Sequence, residues 1–222
     1  MNRIIALSIF ACIPLLMGGC GNAEQAASTQ SKASSAAYSA SSTPKYTEEQ
    51  KQNAKQRIQE ILDSQNQQYD EVKKITLYFP WDNYSIPAKT GIYWIASNEK
   101  GDLHLLTKVI QFSTNTEWVF WNKLNFSTDE GNWVYRIKGN FPEQNSGGKS
   151  TTIVMGGKYE SLGLQFSELK KGYQLLVNGT NPIIRFEGNN SYYDYHLTSD
   201  DIAYLKQGIE LDDLMKIVGG KI

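Results

Sequence analysis

From Ile75 onward, apolar and polar residues alternate with a period of two in short runs separated by turn-forming residues. That pattern predicts half-buried strands. Seven are expected, at Ile75–Phe79, Gly91–Ser97, Leu103–Phe112, Glu117–Phe126, Trp133–Lys138, Thr151–Met155 and Tyr159–Phe166. Asn98-Glu-Lys-Gly101 and Asp129-Glu-Gly-Asn132 supply hairpin turn chemistry. Ile183–Leu197 reads as a further hairpin about a Gly188-Asn-Asn-Ser191 turn. With Glu187 opposite Tyr192, Phe186 faces Tyr193, Arg185 faces Asp194 and Ile184 faces Tyr195. One face then carries Ile184, Phe186, Tyr193, Tyr195 and Leu197, and the other Arg185, Glu187, Asp194 and His196.

The period is helical at three places. Over Thr47–Gln67, Ile58, Ile61 and Leu62 form a narrow apolar stripe that Tyr69 and Val72 extend, and Thr47 with Gln50 matches a capping box. Ser167–Gly179 fits a helix capped by Ser167 and stopped by Gly179, although Tyr173, Leu175 and Val177 equally fit a strand. Thr198 with Asp201 opens a terminal helix on Ile202, Leu205 and Ile209, which continues past an expected kink at Gly208. Residues 46–222 are thus expected to form a single α+β domain. It is an antiparallel, sheet-rich meander or sandwich with an N-terminal and a C-terminal helix.

The first 45 residues follow neither period. Arg3 precedes the apolar run Ile4–Met17, which is 14 residues long, broken only by Ser8 and Pro14. That suits a secretory leader and falls short of the ~20 residues that span a bilayer. The run ends Leu16-Met17-Gly18-Gly19-Cys20. This stretch resembles a bacterial lipoprotein signal, with Met17 where Leu is usual. The resemblance covers only the first 20 residues. It implies cleavage before Cys20 and conversion of its thiol to a diacylglyceryl thioether, with the new amine acylated. Several acyl chains are needed for stable anchoring, at about 0.8 kcal/mol per buried methylene. Gly21 in place of Asp implies outer-membrane sorting in a host with two membranes. Residues 20–45 are Ser- and Ala-rich with almost no bulky apolar side chains, the composition of a disordered tether between lipid and domain.

Cys12 falls inside residues 1–19, so the mature chain carries Cys20 alone, and neither a disulfide nor a cysteine metal site is expected. Loss of those residues removes Arg3 and leaves 21 basic against 23 acidic side chains, a formal charge of −2. No basic field points to nucleic acid. No cofactor signature is present. His104 and His196 lack metal-site spacing. Ser146–Thr151 resembles the end of a phosphate-binding loop, but Glu143 stands where that pattern needs Gly, and the segment reads as a polar loop. Glu160, Glu168 and Glu187 have no readable pairing for glycoside hydrolysis.

The remaining candidate chemistry is aromatic. Trp81, Trp94, Trp118, Trp121 and Trp133 crowd into one third of the chain. Around Trp118-Val-Phe-Trp121 both faces are apolar, so these rings either fill a core or form a platform for sugars, peptides or apolar ligands. Trp118, Trp121 and Trp133 are the candidate ligand-binding residues, and Arg185–Asp194 is a structural ion pair. The expected protein is a lipid-anchored envelope protein outside the cytoplasm that binds an envelope protein, a carbohydrate or a small ligand without catalysis. An envelope hydrolase, using scattered acids or His196 with Asp194, and a passive structural component are the alternatives.

Overall fold

A computed structural model describes residues 45–82, 88–114, 117–137 and 148–222; the expected signal, Cys20 and the expected tether lie outside them. The described residues belong to one compact unit. Among them the fold is α+β, with three helices and ten strands. The order is α1 (Glu48–Asp63), β1 (Asn66–Asp70), β2 (Ile75–Phe79), β3 (Gly91–Glu99), β4 (Asp102–Ser113), β5 (Lys123–Thr128), β6 (Gly131–Arg136), β7 (Lys149–Val154), β8 (Gly157–Gln165), α2 (Phe166–Asn178), β9 (Ile183–Glu187), β10 (Tyr192–His196) and α3 (Ser199–Val218).

The strands form two antiparallel sheets, within the expected sheet-rich α+β class. The larger has the order β1-β2-β3-β4-β8-β7 and the smaller β10-β9-β5-β6. Helix α2 lies between them. Its Tyr173 shares a 2.5 Å hydrogen bond with Thr107 of β4, while the same ring meets Phe126 of β5 edge-on at 5.9 Å. Burial pushes the Tyr173 hydroxyl far above its ordinary range. Gly172 makes this layer possible, because a Cβ there would stand 2.7 Å from Phe126 and 2.8 Å from Trp133. Helix α3 packs on β3, with Tyr204 stacked on Trp94 at 5.1 Å and its hydroxyl donating to the Trp94 carbonyl at 2.9 Å. Helix α1 packs on α3, with Ile58, Ile61 and Leu62 buried and Arg57 paired to Glu210 at 2.7 Å.

Both predicted capping boxes are present, Thr47 with Gln50 and Thr198 with Asp201. Three expectations are corrected. The first helix stops at Asp63, and Tyr69 and Val72 lie on the β1–β2 hairpin, 54% and 92% exposed, not on a helical stripe. Helix α3 runs through Gly208 without a break, and that glycine is buried so that α3 can approach Trp94, where a Cβ would stand 2.7 Å away. Helix α2 opens at Phe166 on Gln165, with no side-chain cap, rather than on Ser167.

The terminal hairpin has the expected register, Glu187 opposite Tyr192 through Ile184 opposite Tyr195. Arg185 grips Asp194 with two 2.7 Å hydrogen bonds and lies 4.2 Å over the Tyr192 ring. Hydrogen bonds from Arg185 hold the Asp194 carboxyl below its ordinary range. Its contribution is therefore present at neutral pH and is lost as pH falls through that lowered value. Because the pair is largely solvated, Asp194→Asn is expected to cost about 0.2–1 kcal/mol in urea unfolding at pH 7, and nothing once the pH lies below the lowered value.

Candidate binding site

The segment Glu117–Asn122 is irregular, not the start of a strand, and β5 begins only at Lys123. Phe120 has φ 47°, in the left-handed region that a bulky residue seldom occupies. This reversal turns three successive amides toward one point. Glu160 of β8 fills it. One carboxylate oxygen accepts from the Val119 and Phe120 N–H groups at 3.0 and 2.8 Å, and the other from Trp121 at 3.2 Å. The second oxygen also receives the Lys149 ammonium of β7 at 2.6 Å. The Glu160 side chain is 0% exposed and that of Lys149 4%.

Lys149 lies 4.0 Å from the Trp121 ring centre, which adds a cation–π contact in a desolvated setting. Burial pushes its ammonium down from the ordinary lysine range, and the Glu160 charge opposes that shift. Two charges held out of water are unfavourable unless geometry and further hydrogen bonds compensate. Three backbone amides provide that compensation here.

The loop divides its side chains between two sides. Val119 and Trp121 turn inward, and Trp121 is 1% exposed and meets Phe186 edge-on at 5.2 Å. Trp118 and Phe120 turn outward, stacked at 5.4 Å with their planes 16° apart, and Phe120 is 57% exposed. The far end of the loop is tied to the β9–β10 hairpin. Asn122 N–H donates to the Glu187 carbonyl at 2.9 Å, and its side chain donates to Asn189 at 3.0 Å. Gly188 lies directly against the Val119 carbonyl, where a Cβ would stand 2.0 Å from the oxygen. A stacked pair, Phe120 exposed and Trp118 half-buried, is thus carried on a backbone held at Val119, Phe120, Trp121 and Asn122. Little ordering remains to oppose binding.

Of the three predicted ligand-binding tryptophans, Trp118 is half-buried and stacked on exposed Phe120. Trp121 supports the loop from beneath. Trp133 is half-buried against Phe126 at 5.4 Å and against Gly172. Phe120 lies in the Trp118-Val-Phe-Trp121 run expected to fill a core or form a platform, but it is not among the three candidate ligand-binding residues. Glu160 and Lys149 were also missed as a pair. The expected polar loop at Ser146–Thr151 is corrected for its second half, since Lys149 begins β7. Glu160 could have been found, because it shares the period-two face of Leu162 and Leu164, where a lone carboxylate requires a buried partner.

The other acids are engaged separately. Glu187 is paired with Lys123, and Glu168 accepts from the Tyr135 hydroxyl at 3.2 Å. His104 and His196 are exposed. Among the described residues no group of three or more His, Cys, Asp or Glu is placed to hold a metal ion, and no helix is long and apolar enough to cross a membrane. Comparison of the chain with protein-family models, curated proteins and solved structures returns no match.

Proposed function

We propose that this chain is a lipid-anchored protein of the bacterial envelope that works as a non-enzymatic binding module, with Trp118 and Phe120 as its contact surface. The leader ending at Cys20 and the Ser/Ala-rich stretch behind it support the anchor and the tether. The observation that carries the binding reading is the stacked, outward-facing aromatic pair on a loop pinned by buried Glu160 and Lys149. Backbone held in an unfavourable conformation, with an exposed ring at its crest, is a pattern found at recognition sites. Flat rings suit a sugar ring or the apolar and aromatic side chains of an envelope protein. The hydrolase alternative draws no support from Glu160, whose carboxylate is occupied by three amides and an ammonium.

Two measurements test this reading. Mass spectrometry of the mature polypeptide should find residues 1–19 absent and Cys20 acylated; an unmodified Cys20 would remove the anchor. The double variant Trp118→Ala, Phe120→Ala is expected to unfold within about 1 kcal/mol of the parent, since surface truncations cost little. Its retention on isolated envelopes, assayed with the non-acylated Cys20→Ser background, should fall at least tenfold. Unchanged retention would exclude the aromatic pair as the contact.

A further inference from the structure

The outer face of the larger sheet, away from α2 and α3, carries a charge that the fold does not use. Side chains on β4 alternate, so Thr107 and Val109 point to the helices while Leu106, Lys108 and Ile110 point the other way. Lys108 lies directly between Tyr93 of β3 and Gly163 of β8. It is partly buried and, among the described residues, has no hydrogen-bond or ion-pair partner. Burial alone pushes its ammonium down from the ordinary lysine range.

The neighbours of Lys108 on this face carry no charge, and its diagonals on β8 are Ser161 and Gln165. Ile95 and Leu106 extend one side, and Trp81 meets Tyr93 edge-on at 5.5 Å on the other. Gly163 leaves the floor beside Lys108 open, since a Cβ there would meet nothing within 4 Å. A partly desolvated cation with no counter-charge is less stable than one in water. An anionic group that settles beside it removes that penalty and gains a charge-assisted hydrogen bond.

We infer that this face binds a small monoanionic amphiphile, its carboxylate on Lys108 and its single hydrocarbon chain along Gly163, Leu106 and Ile95. The inference stands apart from the aromatic loop, which lies at the opposite side of β8 in side-chain direction and uses Glu160 instead.

Titration of the full chain with sodium laurate below its micellar concentration, followed by tryptophan fluorescence and thermal melting, tests it. The parent should bind laurate saturably. Lys108→Met should weaken laurate at least tenfold and leave dodecanol unchanged, Lys108→Arg should retain laurate, and Gly163→Leu should block both. Lys108→Met should also melt at or above the parent's temperature, because it removes an unpaired charge from an apolar setting. No saturable laurate binding by the parent, a Lys108→Met affinity within twofold of it, or a Lys108→Met chain that no longer folds would each overturn the inference. None of these outcomes bears on the retention lost by the Trp118, Phe120 variant.

Discussion

Glu160→Ala is expected to destabilise the domain by about 3–5 kcal/mol in urea unfolding, the range for removing one partner of a buried ion pair. The carboxylate serves two groups at once. It neutralises Lys149, 4% exposed beneath Trp121, and it accepts from the amides of Val119, Phe120 and Trp121. Alanine takes that carboxylate from all of them, and net stabilities of ordinary domains are only about 5–15 kcal/mol. The two duties separate in a double variant. Glu160→Leu with Lys149→Met removes both charges in comparable volume, a replacement that is often neutral for an isolated pair. Here the amides of Val119, Phe120 and Trp121 still lose that acceptor, and an amide left buried without one is unfavourable in itself. The double variant should therefore recover part of the loss and remain clearly below the parent. Full recovery would mean that the amide contacts contribute little, and a Glu160→Ala chain within 1 kcal/mol of the parent would contradict the account of the loop.

Gly188→Ala should cost about 2–3 kcal/mol, near the upper end for inserting one methyl group into a packed site. The added Cβ would stand 2.0 Å from the Val119 carbonyl oxygen and 3.3 Å from that of Phe120. Both obstacles are backbone, so no side chain can swing aside. The Glu117–Asn122 loop must lift, and the amides held by Glu160 should exchange with solvent faster in hydrogen–deuterium exchange. Envelope retention should fall with them, although Trp118 and Phe120 are untouched. Normal retention with wild-type exchange at residues 119–121 would show that the hairpin does not hold the loop.

Much of the fold was legible because local rules and tertiary packing agree. The two capping boxes and the Ile183–Leu197 register follow from residue types a few positions apart, and no distant contact overrides them. Strand β1, Asn-Gln-Gln-Tyr-Asp, was not legible, because it lies at the edge of its sheet with four of its five residues exposed and shows no apolar alternation. Which strands fall in which sheet was hidden for another reason. It depends on α2 entering between β4 and β5, and on Gly172 yielding space to Phe126 and Trp133. Alternation around Trp118 imitates a strand so well that only the reversal at Phe120 breaks it. Nothing in the residue itself announces that reversal; it is imposed by Glu160, forty residues further along.

Photo-crosslinking in living cells reaches the central claim most directly. With p-benzoylphenylalanine at position 120, the account predicts a discrete adduct to one envelope component, abolished by Trp118→Ala, and no such adduct from the same probe at Val72, which is more exposed than Phe120. No adduct from position 120, or the same adduct from both positions, would contradict the claim that this aromatic pair is where the molecule makes its contact.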